Sequence, residues 1–306
     1  FDKNSWSQKL MEKILRGSNR QLAITRVFKA TFEKDNWTHK NSKDIKRLER
    51  TRNAVVIENL GGTKVTLSQV MSLRNMMLRE VVRNQAIDLG FIKGEKTNHF
   101  DAGNVVDILK ITDIKIDKKD KGKVGKISDP IKLLNELDAI IENDAFMKEY
   151  NSMVLDFFSQ MHPYVNERFK ELNGLNLNNN GNDIKKALQG LEEAQRNAFF
   201  DELPSGVTID NIQNIYVPFL VDNSSYFKKD PVNFKDIIDL GVFDGMTQEL
   251  SANNGVISVE SISTITSKYQ QEVSNYYGLH RVMRDLNTVL NEKLEGRETG
   301  INVSRN

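Results

Sequence analysis

The chain has 306 residues, with 43 Lys+Arg against 42 Asp+Glu, 39% hydrophobic residues, 18 Gly, 5 Pro and no Cys. Length and apolar content suffice for a real core and exclude a disordered tail, while the formal net charge of +1 excludes a global field toward polyanions and leaves only local patches. Without cysteine there are no disulfides, thiolate nucleophiles or Cys-based zinc sites, and no apolar run approaches the roughly 20 residues of a membrane-spanning helix.

Low Pro and Gly, together with apolar residues recurring every three or four positions, predict a mostly helical protein. Residues 5–16 carry Trp6, Leu10 and Ile14 at helical spacing; 21–34 carry Leu22, Ile24, Val27, Phe28 and Phe32 before a break at Asp35 and Asn36. A third helix is expected over 41–60, basic in its first half and apolar in its second (Val55, Val56, Ile57, Leu60), stopped by Gly61 and Gly62. Thr66 followed by Gln69 reads as a capping box that opens a helix to Leu89. Its face of Val70, Leu73, Met77 and Val81 is widened by Met71, Met76, Leu78 and Val82, so it is expected to be buried on most sides and central. Residues 91–126 look irregular apart from a short helical piece near 105–109, and end in a lysine-rich surface loop.

Asp129 and Pro130 spell the opening of the next helix, Asp as cap and Pro in the first turn. Asn143 or Asp144 starts a longer one, with Phe146, Tyr150, Met153, Phe157, Met161, Tyr164 and Leu172 along a seam, a kink expected at Pro163 and a stop at Asn173 and Gly174. An Asn-rich loop over 176–183 leads to an amphipathic helix to Leu203. The run 212–221 reads as extended, and Pro218 places it at an edge. The last and longest helix is expected over 258–294, with Gly278 as a point of bending.

Few residues point to chemistry. His39, His99, His162 and His280 are scattered and fit no metal-binding spacing. Asn176, Asn178, Asn180 and Gly181 imitate the start of a calcium loop, but they supply neutral Asn where Asp is needed and Ala187 where a bidentate Glu is needed. There is no phosphate loop and no nucleophile elbow. Glu80 is the best-placed carboxylate for an enzymatic reading, because its helix is otherwise so apolar; an ion pair across a helix contact explains it more simply. No catalytic, cofactor-binding or metal residue is assigned, and no cofactor is expected. Two basic features are candidate phosphate contacts, Lys43, Lys46, Arg47 and Arg50 on the third helix and Lys118, Lys119, Lys121 and Lys123 in the lysine-rich loop; a solvated helix face and a surface loop explain them equally well. Tyr150, Phe157, Tyr164, Tyr269, Tyr276 and Tyr277 are candidates for helix seams, inside the fold or against another copy.

The order of several stretches resembles a helical module of large phage polyvalent proteins and of virion proteins ejected into the host with the DNA. The resemblance lies in residues 65–73 (VTLSQVMSL) leading to Arg79 and Glu80; in Val165, Asn166 and Glu167 followed by Leu172, Asn173 and Gly174; in 215–218 (IYVP); and in 264–286 with Val273, Tyr276, Asp285 and Leu286. It implies a non-enzymatic segment of a multidomain cargo protein, packaged in the virion and delivered to the host. The implied partners are other virion proteins (portal, tail or further cargo copies), and no catalytic residue carries over; non-specific contact to DNA is an expectation of the two basic features alone. The expected architecture is all-α, an elongated multi-helix bundle with a short extended segment near 212–221. Its parts are an N-terminal helical segment (1–62), the module (63–296) and a tail or linker (297–306). A first residue of Phe rather than Met leads us to expect one ordered piece of a longer protein.

Overall fold

The glycine at position 17 does not end a helix. In a computed structural model, which describes residues 6–94, 96, 129–174, 180–201, 203, 207–209, 212, 220–222, 256–279 and 282, α1 runs without interruption over Trp6–Phe28 and widens into a π-helical turn at Lys29–Glu33. The two helices expected over 5–16 and 21–34 are therefore one. Gly17 is kept there by a tertiary contact, because a Cβ on it would come within 2.5 Å of the Gly278 carbonyl oxygen. The break expected at Asp35 and Asn36 is present: both adopt left-handed backbone (φ 51° and 58°), which Asp and Asn tolerate best among residues with a Cβ. Two short helices follow, α2 (Trp37–Lys40) and α3 (Ser42–Glu49).

The apolar half of the third predicted helix is a β-ribbon instead. β1 (Val55–Ile57) pairs antiparallel with β2 (Thr63–Val65), Val55 opposite Val65 and Ile57 opposite Thr63. A short run of β-branched residues carries no period long enough to separate strand from helix, and the following glycines supply positive φ (63° at Gly61, 77° at Gly62) for the return. Ile57, Thr63 and Val65 are buried while Val56 faces solvent. The loop is clamped from outside the ribbon. The Glu136 carboxylate accepts the backbone N–H of Glu58 (2.8 Å) and of Asn59 (3.0 Å).

α4 (Leu67–Asp88) opens with the predicted capping box, Gln69 N–H donating to Thr66 Oγ1 (3.2 Å) and Thr66 N–H to Gln69 Oε1 (2.9 Å). Fifteen of its 22 residues are buried, which makes it the central helix. Asp129 and Asp144 cap α5 (Pro130–Glu142) and α6 (Ala145–Asn173) as expected, each accepting two backbone N–H groups. Helix α6 continues through Pro163 and closes on Gly174 at φ 71°. Where one helix is expected over 184–203 there are two, α7 (Asn180–Gln189) and α8 (Glu193–Phe200), separated at Gly190. Of the extended run over 212–221, the described part includes the start of β3 (Leu220–Asp222), antiparallel to β4 (Val256–Ser258). The last described helix, α9 (Ile262–Gly278), has Ser261 as its cap.

The class is all-α. The most extensive helix pairs are α1 with α9 and α4 with α5, and α9 also packs on α6 and α4. One contiguous apolar cluster runs from Ile24, Leu48 and Leu60 through α4, α5 and α6 to Tyr277, so residues on both sides of position 62 share it. A buried polar chain crosses that cluster. Arg74 donates to Asp138 Oδ1 (2.6 and 2.9 Å) and to Asn75 Oδ1 (3.2 Å), and Asn75 donates to Asn151 Oδ1 (2.6 Å). All four residues are buried, and their pairing fixes α4, α5 and α6 relative to one another.

Candidate functional site

The six seam aromatics converge on one place, the contact of α1 with α6 and α9. Along α1, Arg20 meets Glu171, Phe28 meets Phe157 and Phe32 meets Tyr150, so α1 runs antiparallel to α6. Phe157 lies against Phe28, Phe32 and Phe158, with centroids 5.3–5.8 Å apart. Tyr150 stacks on Trp37 (5.7 Å) and Phe146 (5.9 Å), and Tyr269 meets Phe158 edge-on at 5.2 Å. Tyr164 meets Tyr277 edge-on at 5.2 Å, and Tyr276 is buried beside it. The seam is thus internal to the fold. Such tilted and edge-on pairs each add roughly 0.5–1.5 kcal/mol beyond the area they bury.

At one end of the seam the aromatics give way to charge. Arg20 forms a two-pronged pair with Glu171 (2.7 and 3.0 Å) and lies 5.0 Å above the Tyr277 ring. Arg168, only 1% exposed, donates to the same carboxylate at 2.6 Å, while its Nε and Nη2 have no hydrogen-bond partner among the described residues. Hydrogen bonding from Arg20, reinforced by Arg168, holds the Glu171 carboxyl down at about 2. Burial and the hydrogen bond to Glu167 (3.0 Å) push the Tyr277 phenol up to about 12. Desolvation lowers the pKa of Arg168. No local pattern announces this knot, since Arg20 and Glu171 are 151 positions apart. Chemically it is a structural clasp: two guanidiniums share one carboxylate, and a neutral phenol donates to a second.

The candidate phosphate contacts separate. Lys43, Lys46 and Arg50 are exposed on and just after α3, whereas Arg47 is half-buried and donates to Asp144 at 2.7 Å, bracing the residue that caps α6. Lys118, Lys119, Lys121 and Lys123 lie outside the described residues. Glu80 and Arg83 are buried and Arg79 is half-buried, and all three are engaged with other groups. His39 is exposed; His162 is half-buried on α6, with its pKa lowered by desolvation, and His99 and His280 lie outside the described residues. The imitation calcium loop ends where α7 begins at Asn180, so its second half is helical. Among the described residues no group of His, Cys, Asp or Glu is arranged to hold a metal, and no helix is long and apolar enough to cross a membrane.

Sequence reasoning missed a further convergence. Glu49 at the end of α3 accepts from Ser68 Oγ on α4 (2.9 Å) and Ser263 Oγ on α9 (2.7 Å), and Ser68 Oγ accepts the Ile262 N–H (2.8 Å). One carboxylate therefore joins the N-terminal turns of two helices, where negative charge is favoured. The capping box after Gly62 was a visible signal for the first of those helix starts; nothing local signalled the second serine.

No known family, curated protein or solved structure matches the chain.

Proposed function

We propose that this chain is a non-enzymatic segment of a large phage virion cargo protein, packaged in the particle and ejected into the host with the genome. The observation that carries the reading is the ordered series of stretches over 65–80, 165–174, 215–218 and 264–286 that resembles the helical module of such proteins. Among the described residues of that series, Thr66 and Gln69 form a capping box, Gly174 ends α6, and Val165, Val273 and Tyr276 are buried. A second support is physical. Passage through a narrow channel requires the fold to come apart and form again, and a chain with no cysteine has no covalent staple to prevent that. The partners in this reading are portal, tail or further cargo proteins, and the location is the virion.

The test is quantification of the protein in particles before and after triggered DNA release. Loss together with the DNA is the expected outcome. Retention in the emptied particle would instead make the chain a permanent portal or tail component. Zymography on cell-wall and DNA substrates, with Glu80→Gln as control, addresses the enzymatic reading: clearing by the parent chain that disappears in the variant would overturn the non-enzymatic assignment.

A further inference from the structure

Between Lys40 and Arg52 the chain carries Lys40, Lys43, Lys46, Arg47, Arg50 and Arg52 against Asp44 and Glu49. Folding sorts these charges by direction. Glu49 turns inward to Ser68 and Ser263, and Asp44 lies 3.8 Å from Arg47, which itself reaches across to Asp144. Lys40, Lys43, Lys46, Arg50 and Arg52 remain exposed, and none of the five has an ion-pair partner among the described residues. Some basic side chains elsewhere pair with carboxylates, as in Lys148 with Glu142 and Lys268 with Glu260. A chain of nearly zero net charge thus gathers these five exposed cations on one short stretch, with the half-exposed Asp44 turned to Arg47.

We propose that this face docks on the phosphate backbone of duplex DNA. Lys43, Lys46 and Arg50 are spaced i, i+3, i+7, which places them along one side of α3 and its continuation over about 10 Å, at about 1.5 Å per residue. One strand of a duplex offers about three phosphates in that distance, at about 3.4 Å per charge. The face is also held rigid from beneath, by fully buried Leu48 and by the Arg47–Asp144 pair. No base-stacking platform accompanies it on α2 or α3. Trp37, the only aromatic of these two helices, is stacked on Phe146 and Tyr150, with its Nε1 donating to Glu149 (2.9 Å). The binding therefore reads charge and not sequence, and favours a duplex over an unstacked single strand. It is independent of whether the protein travels in a particle.

The experiment is fluorescence anisotropy of the full chain with a labelled mixed-sequence duplex, at salt from 50 to 200 mM. Three to five phosphate contacts predict a slope of log K against log salt between about −2.7 and −4.5, and so a loss of about 40- to 500-fold over that range. K43E/K46E/R50E should abolish the salt-dependent binding while keeping the far-UV circular dichroism and thermal midpoint of the parent. The milder K43Q/K46Q, with two contacts removed, should reduce the slope by about 1.8 even if the triple variant folds poorly. Parent binding that is absent at 50 mM salt, or undiminished in both variants, would overturn the proposal. So would tighter binding to a single-stranded oligonucleotide, or binding to phosphatidylserine vesicles in place of the duplex.

Discussion

Arg168 is a cation almost wholly removed from water, and its one carboxylate partner, Glu171, is shared with Arg20. Removing the carboxylate and removing the cation should therefore have unequal effects. Glu171→Gln leaves a buried guanidinium uncompensated and is expected to cost roughly 1–3 kcal/mol, read from the urea midpoint. Arg168→Met removes the charge and its two unpartnered N–H groups together, and should stay within about 1 kcal/mol of the parent. The same knot sets pH limits. Glu171 has its carboxyl held at about 2 against an ordinary 4.5, so its contribution is complete above pH 4.5 and disappears as pH falls through 2. The phenol of Tyr277 is held at about 12 against an ordinary 10.0, so neutral Tyr277 contributes fully below pH 10 and stops contributing as pH rises through 12. Denaturant titrations across pH should lose the acid component in Glu171→Gln and the alkaline one in Tyr277→Phe.

At the scale of elements, α1 and α9 touch backbone to backbone where Gly17 meets Gly278. A methyl group on Gly278 would approach the Gly17 carbonyl oxygen to 2.8 Å and collide with the Gln21 side chain. Intrinsic propensity says that alanine at position 17 gains about 1 kcal/mol in a helix interior. The crossing says the reverse: the helices must separate, and Gly17→Ala should destabilise by about 1–3 kcal/mol in thermal or urea unfolding. This glycine also marks the boundary of what the sequence reveals. Helix starts that carry their own chemistry were legible, namely Thr66 with Gln69, Asp129 with Pro130, and Asp144, because a cap is a contact between near neighbours. Gly17 was not, since whether a glycine ends a helix or lets another helix approach depends on a partner some 260 positions away. The ribbon at Val55–Ile57 was hidden for a different reason: three β-branched residues fit either period, and Glu136, which clamps its loop, lies on another element. For the candidate site, the aromatic seam was legible from spacing, whereas the Arg20–Glu171–Arg168 clasp and the inward turn of Glu49 were not. Pairings made across the fold leave no periodic trace.

The apolar cluster that the described residues share across the fold predicts cooperative unfolding of those residues. Phe157 contacts rings on α1 and is fully buried on α6, so Phe157→Ala should cost roughly 3–5 kcal/mol. In a Trp6→Phe background, the fluorescence of Trp37 reports the stack with Phe146 and Tyr150. It should be lost at the same urea concentration as the helical circular dichroism, in both the parent and the Phe157 variant. Separate transitions would show that the N-terminal helices can leave the cluster without melting the rest.

The meeting of Gly17 with Gly278 also has a consequence for how the protein is born. A ribosome emitting about 5–20 residues per second needs roughly 15–50 s to bring the second glycine out after the first. Throughout that interval the face of α1 bearing Gly17, Arg20 and Gln21 has no α9 to cover it, although α6 arrives sooner. The nascent chain thus offers this part of α1 to chaperones and proteases until α9 has been made. Closure of the α1–α9 contact therefore waits for the second glycine, however early the first was made.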